Sequence, residues 1–89
     1  MFYAEWCPFC QKFKRTFESF ANTSDKKIKF YAYMINDDDD PLWDRFSINT
    51  VPTLIAFDGH EIISRRDSKM GVGLNKTDID SILIDIARK

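Results

Sequence analysis

The stretch EWCPFCQKFK, residues 5–14, holds both cysteines of an 89-residue chain, Cys7 and Cys10. Two thiols at that spacing can close a local disulfide, ligate a metal, or work as a redox pair. A structural disulfide here would close a very small loop and restrict the unfolded chain little. A structural zinc site takes four ligands, and only His60 could join the pair within one chain. Two copies could together supply four thiolates to zinc or to an iron–sulfur cluster. The redox reading has a local mechanism. Pro8 suits the first turn of a helix, which places Cys7 just ahead of it, facing unpaired N–H groups and the positive helix end. Such surroundings favour thiolate over thiol. Cys10, one turn along, is within reach of a disulfide formed by Cys7. Pro8 stiffens the link, and Phe9 adds apolar surface beside the reacting sulfur.

The elements that would position this pair are legible in the periodicities. MFYA, residues 1–4, reads as a short strand, and residues 8–21 as a helix with Phe9, Phe13, Phe17, Phe20 and Ala21 on one face. IKFYAYMI, residues 28–35, reads as a strand with an edge open to pairing. In NDDDDP, Asp40 is placed to cap a short helix beginning at Pro41, a better account of the acidic run than a cation site, which would need spaced oxygen ligands. PTLIAF and EIISRR flank a DG turn as a hairpin, with His60 a solvated turn residue. A closing helix spans residues 76–89, starting near Thr77, with Ile79, Ile82, Leu83 and Ile86 on one face. The order βαβαββα predicts an α/β sandwich: one mixed sheet, its first two strands parallel, covered by helices on both faces.

Composition narrows the function classes. Residues 1–89 make one domain, 44% hydrophobic and 15% aromatic, enough for a single core. Thirteen basic against fourteen acidic residues give a net charge of −1, which argues against nucleic acid or an anionic membrane as a partner. No apolar run reaches the roughly 18 residues of a membrane span, and no signal-peptide pattern opens the sequence. No resident metal or cofactor is expected beyond the Cys7–Cys10 pair itself.

A C-x-x-C motif beside a βαβ pattern points to thioredoxin-like redox proteins. FYAEWCPFC resembles the active-site segment of thioredoxins, and TVPTLIAFDGHEI resembles their downstream proline loop and hairpin. Pro52 falls 45 positions after Cys7, and the resemblance covers most of the chain. It implies a minimal thioredoxin-like fold with a cis peptide bond at Pro52, packed against the cysteines. It also implies that Val51 offers backbone groups to an extended substrate segment and that Trp6 shapes the surface beside the site. Three departures stand out. The motif is CPFC rather than the usual CGPC, closer to glutaredoxins. The first strand and helix of the full thioredoxin fold are missing. The positions of the buried acid and its lysine partner fall at Met1 and Tyr33.

The function implied is thiol–disulfide exchange with client protein disulfides, Cys7 attacking and Cys10 resolving. An electron-donating reductase or glutathione would recharge the pair, and a monomeric cytoplasmic reductant serving cell redox homeostasis is expected. A glutathione-dependent, glutaredoxin-like reductase is the alternative, with Lys12 or Lys14 meeting a glutathione carboxylate. MGVGLNKTD resembles the glutathione-gripping pattern only loosely. A non-enzymatic interaction module on the same fold is the third reading, disfavoured by the intact motif.

Overall fold

In the computed structural model, residues 1–24, 27–69 and 72–88 are described. Four strands, β1 (Phe2–Tyr3), β2 (Tyr33–Met34), β3 (Thr53–Asp58) and β4 (Glu61–Asp67), alternate with α1 (Pro8–Thr23), α2 (Pro41–Arg45) and α3 (Lys76–Ala87) in the expected βαβαββα order. They form one mixed sheet in the order β2-β1-β3-β4. β1 runs parallel to β2 and antiparallel to β3, which pairs antiparallel with β4.

The hairpin is the most regular part. Its register runs from Thr53 opposite Asp67 to Asp58 opposite Glu61, slipping once between Ala56 and Phe57, as at a β-bulge. The chain reverses at Gly59, whose φ of 63° lies in the left-handed region that glycine enters without a Cβ clash. The sequence predicts strand over 28–35, but only Tyr33 and Met34 pair. A parallel strand is as long as the partner it bonds, and β1 offers only Phe2 and Tyr3. β2 does lie at the sheet edge, as predicted.

Side-chain alternation sorts the core onto two faces. On one, Phe13 and Phe17 of α1 and Ile79 and Ile82 of α3 pack on Met1, Leu54 and Ala56. On the other, Phe2, Ala4, Ile35, Ile48 and Val51 form a second cluster, with Leu42, Trp43 and Phe46 of the α2 region against it. Cys7 and Cys10 belong to this second cluster. Helices therefore cover both faces.

Within α1 the aromatic stripe is shorter than predicted. Phe13 and Phe17 are buried and Phe20 half-buried, whereas Ala21 and Phe9 are exposed, at opposite ends of the helix. Burying a phenylalanine side chain contributes about 1.5–3 kcal/mol, so Phe13, only 2% exposed, is a principal anchor of α1. Asp40 caps α2 as predicted, accepting from the Leu42 N–H at 3.0 Å. α3 begins at Lys76, with Thr77 near its start as predicted, and is capped by Asn75: Asn75 Oδ1 accepts from Thr77 N–H and Asp78 Oδ2 from Asn75 N–H, both at 2.9 Å. Asp85 fastens α3 to β4, accepting from Ser64 Oγ at 2.7 Å and from Arg66 at 3.0 Å. These two donors, the serine first, hold its carboxyl below the usual range. Arg65 of β4 reaches across to the carbonyls of Phe46 and Ser47, where Ser47 takes a φ of 52° in the turn after α2.

Candidate active site

β1 ends at Tyr3, and the chain needs only Ala4, Glu5 and Trp6 to reach the start of α1. Cys7 is the residue flanking the helix, extended at φ −97° and ψ 116°, with Pro8 in the first turn. Its carbonyl accepts from Cys10 N–H at 3.1 Å and Gln11 N–H at 3.3 Å, starting the helical ladder. Sequence reasoning aimed its sulfur at the free N–H groups of the first turn. The thiol makes no such cap. It instead donates to the carbonyl of Val51 at 3.5 Å, tying the helix start to the loop before β3.

Cys10 sits one turn deeper, 1% exposed against 8% for Cys7. Its sulfur accepts from Ala4 N–H at 3.5 Å. Burial pushes the Cys10 thiol up to about 12; the Ala4 N–H opposes that rise, and hydrogen bonding and charge at Cys7 add to it. Both cysteines are free thiols in this structure. The pair is unequal: both residues are buried, Cys7 less completely, and Cys10 is costly to ionise.

Val51 and Pro52 close the site from the loop before β3. Both are buried, their peptide bond is cis, and Pro52 is among the most deeply enclosed side chains. Thr53 fastens the loop by donating from Oγ1 to Thr50 O at 2.7 Å, and Ser68 N–H donates to Pro52 O at 3.2 Å. Val51's carbonyl, expected to face a substrate, is engaged by Cys7.

Exposed apolar side chains near Cys7 in the chain, together with Val72 beside the Gly73 that Phe9 touches, form an apolar rim. Trp6 is 58% exposed, Phe9 39% and Val72 65%. Phe9 faces the loop before α3 and lies against Gly73, where a Cβ would come within 3.0 Å of its ring. Pro8 is exposed in the first turn.

Two residues that sequence reasoning passed over hold the loop at Glu5. Asn36 Oδ1 accepts from Glu5 N–H at 2.8 Å, Asn36 Nδ2 donates to the Glu5 carboxylate at 3.4 Å, and Asn36 O accepts from the Trp6 indole at 3.0 Å. Gln11 Nε2 donates to Glu5 O at 2.9 Å. The only sequence signal was the polar switch after the apolar run IKFYAYMI, which looked like the start of an acidic loop.

The remaining candidates lie apart. Met1 is buried against α1 and α3, and Tyr33 stacks on Phe2 with ring centroids 5.7 Å apart, half its surface exposed. Lys14 places its ammonium 5.5 Å from the centre of the Tyr3 ring, at a recess bounded also by Ala4, Glu5, Cys10 and Gln11. Lys12 and His60 are exposed. Among the described residues no three His, Cys, Asp or Glu side chains converge as a metal site, and no helix is long and apolar enough to cross a membrane.

Comparison with known proteins agrees with this geometry. A solved structure titled "Structure of a malarial protein" superposes with a TM-score of 0.69 over 93% of this chain and 88% of that one, at 21% identity, a likeness of fold alone. No curated protein matches at a significant level. The family model described as Thioredoxin matches residues 1–84, spanning β1 through most of α3. The chain therefore belongs to the thioredoxin family.

Proposed function

We propose that the protein is a thiol–disulfide oxidoreductase that reduces client protein disulfides through Cys7 and Cys10. The observation that carries the reading is the arrangement of the pair: Cys7 at the head of α1 below an exposed apolar rim, and Cys10 one turn behind it in the core. In the first step the Cys7 thiolate attacks one sulfur of a client disulfide. The client S–S bond breaks, its other sulfur leaves as a thiolate and takes a proton, and a Cys7–client mixed disulfide remains. Cys10 then gives up its proton and attacks Cys7 Sγ. The Cys7–Cys10 bond forms, the second client thiol departs, and two electrons have passed from the pair to the client.

The division of labour follows from position. Cys7 is the more accessible sulfur and meets the incoming disulfide. Cys10 can reach only Cys7, so it acts after the mixed disulfide has formed. The exposed Trp6, Phe9 and Val72 offer apolar side chains against which an unfolded or extended client segment would rest. We place the activity in a reducing compartment, the cytoplasm, with a reductase or glutathione returning electrons to the pair; the confinement of both cysteines to the motif supports that setting.

Reduction of insulin disulfides, run beside deglutathionylation of a mixed glutathione disulfide, tests the reading. Insulin turnover with little action on the glutathione substrate is the expected result. The reverse preference would move the protein to the glutathione-dependent class, and inactivity on both would leave an interaction module.

A further inference from the structure

The loop carrying Trp6 and Cys7 is pinned by residues outside it. Asn36, two residues beyond β2, engages it with three atoms: Oδ1 on Glu5 N–H, Nδ2 on the Glu5 carboxylate, and its main-chain oxygen on the Trp6 indole. Gln11, immediately after Cys10, takes the Glu5 carbonyl. Every polar group of Glu5 is thus held by a side chain, and the exposed Trp6 ring is tethered by its one polar atom.

These bonds are all exposed, so each contributes only about 0.5–1.5 kcal/mol to stability. Their geometric effect is larger. Disulfide exchange needs the attacking sulfur in line with the scissile bond, and a displacement of about 1 Å can cost about a hundredfold in rate. A small disulfide can adjust its approach to wherever Cys7 sits. A disulfide within a protein must find Cys7 and the apolar rim together.

We propose that Asn36 is a positioning residue for exchange with protein disulfides: by tying Glu5 and Trp6 to the end of β2, it fixes the relation between the Trp6 platform and Cys7. The inference rests on the thiol–disulfide reading above and narrows its substrate class to macromolecular disulfides that lean on Trp6. Asn36 touches neither the reacting sulfurs nor, on this account, the client; it acts through Glu5 and Trp6.

The test compares Asn36→Ala, Asn36→Asp and the double variant Glu5→Gln/Asn36→Asp with the parent chain, all in a Trp43→Phe background so that Trp6 is the sole tryptophan and can be excited selectively over the three tyrosines. With insulin, Asn36→Ala should lower kcat/KM by about tenfold, chiefly through KM. With the small disulfide dithiobis-nitrobenzoate, the rate should stay within about twofold, since that reagent needs no platform. Acrylamide quenching of Trp6 should rise in Asn36→Ala because the loop at Glu5 loosens once both side-chain bonds are gone, even though the main-chain oxygen that accepts from the indole is retained. Asn36→Asp sets two carboxylates together and should behave like Asn36→Ala, while adding Glu5→Gln restores a donor–acceptor pair and should recover insulin turnover. An equal loss on both disulfides would overturn the proposal in favour of damage to the thiols or the fold, and so would no loss on either. If the parent chain reduces no insulin, the functional reading fails by itself. Trp6 quenching then decides for Asn36 alone, and an unchanged value in Asn36→Ala rejects the clamp.

Discussion

The β3–β4 hairpin with α3 and the β1–β2 edge with the start of α1 are built by opposite means. In the hairpin, residues 53–58 and 61–67 pair along their length, and α3 is bolted to β4 through Asp85, Ser64 and Arg66. At the edge, β1 and β2 share two residue pairs, and the segment that follows is held by side chains: Asn36 and Gln11 on Glu5, Cys7 on Val51. The first region is stabilised by backbone repetition that tolerates many side chains. The second owes its shape to a few named atoms. The proposed chemistry lies in this second region, where a single substitution is expected to change local geometry more than global stability.

The largest effect should come from Cys7. Cys7→Ser is expected to abolish insulin reduction while leaving thermal unfolding within a few degrees of the parent. Cys10→Ser should still attack and accumulate a mixed disulfide, visible by mass spectrometry. A Cys7→Ser protein that unfolds would erase the contrast between the two regions. Phe13→Ala probes the scaffold beneath them. Removing that ring from the core should cost about 3–5 kcal/mol, read from denaturant unfolding, a large share of what a small domain holds.

Cys10 gives the comparison a pH axis. With its thiol pushed up to about 12 by burial, release of the mixed disulfide should be slow at neutral pH. Stopped-flow release rates should climb by about tenfold per pH unit from about 6 to 9, as the thiolate fraction grows. A flat profile would mean that a neighbouring group takes the proton. Stability should move the other way. The unfolded chain loses this proton near the ordinary thiol value, about 8.5, whereas the folded chain keeps it to about 12. The contribution is therefore complete below about 8.5 and is lost as pH rises toward about 12, so the parent should destabilise more steeply than Cys10→Ser. The smallest effect belongs to the hairpin side. Asn75→Ala removes one arm of the α3 capping box and should cost about 1 kcal/mol, with disulfide exchange unchanged.

What could be read in advance divides along the same line. The hairpin, α3 and the stripe from Phe13 to Phe17 follow from periodicity, which sequence displays directly. The Cys7–Pro8 helix start and the Asp40–Pro41 cap follow from local steric rules. β2 was overextended because IKFYAYMI carries strand propensity along its length, while the ladder depends on what β1 can offer opposite it. Asn36 was hidden for a similar reason. Its partners lie about thirty residues earlier, and nothing local distinguishes an asparagine that grips a distant loop from one that begins a turn. The thiol of Cys7 turned toward Val51 for want of any rule in the motif that fixes its rotamer.

Gly73 carries a consequence for how this sequence can change over time. Its φ of 77° disfavours any side chain, and independently a Cβ there would press on Phe9. Two constraints of different origin meet at one position, so a single compensating change cannot release it. Trimming Phe9 to alanine would remove the ring contacts but leave its Cβ 3.1 Å from a methyl at 73, and the backbone penalty of about 1–2 kcal/mol would persist as well. The volume of residue 9 is thus free to drift while Gly73 stays in place, and the path between them runs one way.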